Sequence, residues 1–197
     1  MAVQPQGPGD TGVPPEVYVS FSAPINVHTA EALIAALTNF ANQSVQRVVL
    51  CLSSPGGQVM AGMNAYNMLR AMPFELVTHN VGNVDSIGNA VFLAGERRYA
   101  SPHSTFMFHG VAFEAEAGKV FDEKLVRERL DSILADQKRI GSILDERTNL
   151  TGRQIKELFR KAATKDATFA LENGLVHDIR DVEVPAGTPL FPLVFEQ

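Results

Sequence analysis

The chain has 197 residues, enough for one domain with a short extension. Hydrophobic residues make up 45% and charged residues 20%, which excludes general disorder. A net charge of −5 leaves no basic footprint for nucleic acid, and a lone cysteine, Cys51, excludes an internal disulfide framework or a four-thiolate metal site.

Residues 1–15 hold four prolines and three glycines and read as a flexible lead-in. Residues 16–184 read as one domain, and residues 185–197 as an apolar tail with Phe191, Leu193, Val194 and Phe195. No apolar run reaches the roughly 18 residues of a membrane span. A membrane partner is therefore not expected, and the cytoplasm is the expected location. Val17 to Phe21 predicts a strand. Val27 to Ala41 carries apolar residues at helical spacing, with Asn26 placed to cap it. Arg47 to Leu52 is a continuous apolar run, as in a parallel strand covered on both faces. The turn Ser53-Ser54-Pro55-Gly56-Gly57 and a helix ended by Pro73 follow. Phe74 to Thr78 predicts a strand, Gly82 to Asp85 a turn, and Ile87 to Ala94 a helix. Arg98 to Ala100 and Thr105 to Phe108 predict short strands. Strands and helices in alternation argue a parallel sheet with helical crossovers.

Lys119 to Thr148 predicts one long helix with interleaved charges. Such a length protrudes from a small sheet or packs on a partner chain. Shorter helices are expected at about Arg153 to Ala162 and Ala167 to Glu172, with Gly174 stopping the second. Leu175 to Val184 predicts a strand, and the apolar tail is expected to dock on something.

Three places carry chemistry. Ser86 precedes an apolar helix, where the helix N-terminus favours developing negative charge; the same position suits an ordinary cap. His109 ends an apolar strand, the end at which parallel sheets bind ligands. A serine needs such a base to act as a nucleophile. Gly56-Gly57 lets backbone N–H groups approach a ligand, and donors of that kind stabilise an oxyanion.

Taken together, Ser53-Ser54-Pro55-Gly56-Gly57, Ala61-Gly62-Met63-Asn64-Ala65-Tyr66, Gly82 to Gly88 with Ser86, Phe92-Leu93-Ala94-Gly95, Met107-Phe108-His109 and Glu172-Asn173-Gly174-Leu175-Val176 resemble the proteolytic subunit of the Clp protease, the ClpP family of serine peptidases. The resemblance covers about Tyr18 to Asp181. It implies an α/β fold, a ClpP/crotonase-like spiral of β-β-α units with a protruding long handle helix. It implies Ser86 as nucleophile, His109 as general base, and the N–H groups of Gly57 and Ile87 as the oxyanion hole. Gly118 and the residues before it would lie near the substrate. No cofactor and no metal are implied. The implied substrate is a peptide or unfolded protein, and the implied assembly is a homo-oligomer of heptameric rings, single or stacked. An ATPase unfoldase partner belongs to the family pattern, but the Pro-rich start does not resemble the family's axial-pore segment.

The third catalytic member departs from the pattern. Counting forward from Thr151-Gly152 lands on Lys165, and counting back from Gly174 lands on Ala162. Asp166 is the nearest carboxylate, and it also suits a helix cap. Asp85 and Asn89 stand where the family has small residues. Two alternatives remain: a ClpP-like scaffold or binding protein with a weakened site, and a signal-peptide-peptidase-like enzyme pairing Ser86 with Lys161 or Lys165. A crotonase-type acyl-CoA enzyme ranks behind both.

Overall fold

The computed structural model describes residues 15–113, 118 and 120–195. The expected lead-in, except Pro15, and the segment just before Gly118 lie outside the described residues.

β-branched runs build the sheet. Strands β1 (Glu16–Ser22), β2 (Arg47–Ser54) and β3 (Glu75–Asp85) pair in parallel, joined by helices α1 (Val27–Asn42) and α2 (Val59–Arg70). Asn26 caps α1 through a reciprocal box with Thr29. Beyond β3 come α3 (Gly88–Phe92), β4 (Arg97–Ala100), β5 (Thr105–Phe108), α4 (Glu123–Arg147), α5 (Gly152–Lys161), β6 (Ala163–Asp166), α6 (Ala167–Glu172), β7 (Asp178–Ile179) and β8 (Leu190–Leu193). The main sheet runs β6-β5-β3-β2-β1-β8.

β3 forks the sheet. Its first half, Val77–Asn80, pairs with β4, and its end, Asn83–Asp85, pairs with β5. The expected turn at Gly82 is instead strand. A Cβ at Gly82 would come within 2.9 Å of the Ser53 Oγ, so this glycine lets two strands approach closely rather than turning the chain. The main core packs on one face, where α1, α2 and α3 cover Leu50, Leu52, Val84 and Phe106. A smaller cluster of Tyr18, Val49, Cys51 and Val77 fills the other face.

Three expectations shift at the edges. α4 begins at Glu123 rather than Lys119, because Asp122 accepts the Leu125 N–H and caps it. Only Asp178–Ile179 of the expected strand at Leu175 to Val184 pairs, against Tyr99 and Ala100. Beyond it the chain leaves the ladder and lays the Arg180 guanidinium 3.5 Å over the Tyr99 ring. The apolar tail docks on its own domain: β8 pairs in parallel with β1, Phe191 packs on Phe40, and Phe195 stands edge-on to Phe21.

Arg98 ties this end of the fold together. It is 5% exposed, and its guanidinium donates to the carbonyls of Gly95, Arg147, Gly174 and Leu175. Burial, with Arg147 and Arg70 nearby, lowers its pKa to about 10, so it remains charged at neutral pH.

Candidate active site

The β3–α3 junction positions Ser86. The parallel register sets Asp85 beside Met107, and the Ser86 N–H donates to the Met107 carbonyl at 2.8 Å. Ser86 has φ 56°, a left-handed conformation that costs a non-glycine residue roughly 1–3 kcal/mol. Helix α3 opens two residues later.

The Gly56-Gly57 turn closes against this serine. A Cβ on Gly56 would lie 2.7 Å from the Ser86 Cβ, and one on Gly57 would collide with the Ile25 carbonyl oxygen. Ile25 N–H donates to Gly56 O at 2.7 Å, and Gln58 N–H donates to Ile25 O at 2.8 Å. Those two bonds fix the loop and engage neither polar group of Gly57. Among the described residues the N–H groups of Gly57 and Ile87 have no acceptor.

His109 follows the end of β5. Its Nδ1 lies 2.7 Å from the Gly110 carbonyl oxygen. A carbonyl only accepts, so Nδ1 carries the proton and Nε2 of the neutral ring keeps its lone pair. Ser86 and His109 line one cavity of about 100 Å³, together with Gly57, Asn89, Ile140, Leu144 and Phe159. Among the described residues no hydrogen bond joins the Ser86 hydroxyl to the His109 ring. Such bonds are often long without substrate.

Asp166 is not brought to this cavity. Strand β6 runs antiparallel to β5 and pairs Asp166 with Thr105, at the far end from His109. Four residues of strand separate them, on the order of 13 Å. The Asp166 carboxylate instead caps α6 by accepting the Phe169 N–H at 2.8 Å. Neither lysine lines the cavity. Lys161 pairs with Glu157 at 2.8 Å, and Lys165 sits 5.0 Å from the Phe169 ring.

A second serine–histidine contact has the wrong proton. Ser101 Oγ lies 3.3 Å from His79 Nε2, but that nitrogen donates to the Arg180 carbonyl at 3.0 Å and has no lone pair for a hydroxyl proton. Cys51 is buried, and burial pushes its thiol up to about 11, which suits packing rather than reactivity. No helix among the described residues is long and apolar enough to cross a membrane.

The sequence assigns no chemistry to two groups at the site: Asn89, which it marks only as a departure from the family's small residue, and the Gly110 carbonyl. Asn89 donates its amide to the carbonyls of Ser86 at 3.0 Å and Met107 at 2.8 Å, which ties the serine turn to the histidine strand. Its spacing of three from Ser86 was the available signal. The Gly110 carbonyl gave none, since no side chain announces it.

The Clp protease family model matches residues 14–183. An ATP-dependent Clp protease proteolytic subunit 1 of Streptomyces coelicolor is 28% identical, over 88% of this chain and 78% of that protein. Proteolytic subunit 2 of Thermobifida fusca is 32% identical, over 72% of this chain and 66% of that protein. A solved ClpP1 mutant from Listeria monocytogenes superposes with TM-score 0.74 at 23% identity, covering 84% of this chain and 91% of that one.

Proposed function

The chain belongs to the Clp protease family and is a ClpP-like peptidase; from that premise we propose that it is a serine-type endopeptidase. It cleaves peptides or unfolded proteins through an acyl-enzyme on Ser86, inside an oligomeric chamber. The observation that carries the reading is the shared cavity of Ser86, His109 and Gly57, with the His109 Nδ1 proton committed to the Gly110 carbonyl.

His109 Nε2 takes the Ser86 hydroxyl proton as Oγ attacks the scissile carbonyl. The N–H groups of Gly57 and Ile87 receive the oxyanion, a contribution of about 3 kcal/mol each. His109 then gives its proton to the leaving amine. Water, activated by the same nitrogen, cleaves the ester and restores Ser86.

The Gly110 carbonyl takes the place that a carboxylate fills in a full triad. It fixes the tautomer and orients the ring, but a dipole stabilises the imidazolium less than a full charge does. Hydrolysis is therefore slow. This feature also favours the second reading, a scaffold whose catalysis has weakened. Fluorophosphonate labelling followed by peptide mapping separates them. The peptidase reading requires Ser86 to be modified, with loss of labelling in Ser86→Ala; an unmodified Ser86 beside a reacting control peptidase overturns it.

Assembly follows the family pattern of heptameric rings. Val126, Leu130 and Leu134 support it: they repeat every four residues along α4, each at least half exposed. Sedimentation at micromolar concentration tests this, and a species of 21.4 kDa overturns it.

A further inference from the structure

Asp85 ends β3 directly before Ser86, and both residues are half-buried, so the carboxylate remains open to solvent on one side. Its neighbour Asn83 is fixed in orientation. The Asn83 Oδ1 accepts the Ser53 hydroxyl at 3.2 Å, and its amide nitrogen donates to the Ser54 carbonyl at 3.3 Å. The same nitrogen donates to the Asp85 carboxylate at 2.7 Å, the length of a charge-assisted bond. The anion is thereby anchored at the ends of β2 and β3, beside the Gly56-Gly57 turn.

That charge serves no structural task beyond the Asn83 bond. A carboxylate ahead of a helix ordinarily caps it, but α3 is entered through Ile87 without a side-chain cap, and among the described residues none of its N–H groups donates to Asp85. None of the ion pairs among the described residues includes Asp85. Asp85 does not line the cavity of Ser86 and His109, so it acts there through its field and not by contact. Neighbouring α-carbons lie about 3.8 Å apart, which keeps the carboxylate within about 9 Å of the Ser86 hydroxyl in any rotamer. The Debye length at physiological salt is about 8 Å, so the charge is felt at the nucleophile. Negative charge forms there in the transition state. A fixed anion opposes it; a substrate cation offsets that opposition, and a substrate anion adds to it.

We propose that Asp85 gives the site a charge preference, favouring peptides with lysine or arginine beside the scissile bond and disfavouring acidic ones. The proposal rests on the peptidase reading and names the substrate class for that same site. Asp85 stands where the family has a small residue, so the charge is this chain's own.

The test uses the full chain and internally quenched peptides that are identical except for Lys, Gln or Glu at one residue beside the scissile bond, with one series on each side of it. At about 0.01 M salt the expected kcat/KM for the Lys peptide is about fourfold that for the Glu peptide in at least one series, the contrast between attraction and repulsion at about 8 Å in water. At about 1 M salt the Debye length falls to about 3 Å and the contrast closes. Asp85→Asn keeps an acceptor for Asn83 and removes the contrast, whatever happens to the absolute rate. Equal cleavage or a preference for Glu in both series at low salt overturns the proposal, and so does a contrast that survives Asp85→Asn. Should Asp85→Asn not fold, the wild-type salt series decides alone, and a contrast unmoved by salt overturns the proposal. Cleavage without charge preference, with Ser86 labelled by fluorophosphonate, overturns this proposal and leaves the peptidase reading standing. No cleavage of any peptide, with Ser86 unlabelled, overturns both.

Discussion

Phe108 pairs with Ala163 at the end of the β5–β6 ladder, and His109 and Ala162 are the next residues beyond it on the two strands. Ala162 ends α5 in a left-handed conformation, φ 48° and ψ 54°. The count back from Gly174 along the family pattern also lands on Ala162, which carries no carboxylate.

Ala162→Asp is expected to raise peptide hydrolysis by about tenfold or more, since an aspartate that orients the base is worth up to 10⁴ elsewhere. Aspartate also tolerates the left-handed region better than alanine, so folding is not compromised. Steady-state kcat/KM on one fluorogenic peptide measures the gain. An unchanged rate would mean that the Gly110 carbonyl keeps hold of Nδ1.

Gly57→Ala is expected to abolish hydrolysis and to cost about 2 kcal/mol or more of stability. Gly57 has φ 146°, and its added methyl would collide with the Ile25 carbonyl oxygen. Gly152→Ala is the control, because nothing lies within 4 Å of its added methyl. Peptide assays and thermal melts on both variants give the comparison, and a stable, active Gly57→Ala would contradict the loop geometry.

Much of this arrangement is legible in the residues. The apolar run at Arg47 to Leu52, the Pro-Gly-Gly turn, Ser86 before its helix and His109 after its strand each carry a local signal with a physical cause. Gly82 misleads, because glycine serves close approach as readily as a turn, and only the packing against Ser53 distinguishes the two. Asp166 is ambiguous for a similar reason: one carboxylate suits a cap or a triad, and strand register decides. The part played by the Gly110 carbonyl arises from tertiary geometry and has no counterpart in a linear pattern.

Replacing Arg98 by methionine is expected to destabilise the fold by about 3 kcal/mol or more. The carbonyls of Gly95, Arg147, Gly174 and Leu175 would lose a shared buried donor. Lysine keeps the charge but not the planar fork, so Arg98→Lys falls between the two. Urea midpoints supply the numbers; a wild-type midpoint in Arg98→Met would refute the clamp.

Acid is expected to weaken the fold below neutrality. Burial lowers the pKa of His79 and of His177 below 6.5, and Arg98 and Arg147 lower that of His177 further. The unfolded chain therefore binds these protons first. Their contribution is complete above about pH 6.5 and is lost as pH falls through the folded-state values. His177 Nδ1 also accepts the Arg98 N–H at 3.0 Å, a bond that protonation breaks. Urea midpoints at pH 7.5, 6.0 and 5.0 are expected to fall in that order, with a smaller fall in His177→Gln; a flat series would reject the assignment.

Strand β8 has a bearing on how the protein is made. It completes the outer side of β1, yet it leaves the ribosome long after β1 does. Until then the nascent sheet presents a row of open amide and carbonyl groups, with Phe21 and Phe40 lacking their later cover. Biogenesis thus passes through a sticky interval late in translation, and ribosome stalling ahead of Leu190 would leave the chain prone to clumping with its neighbours.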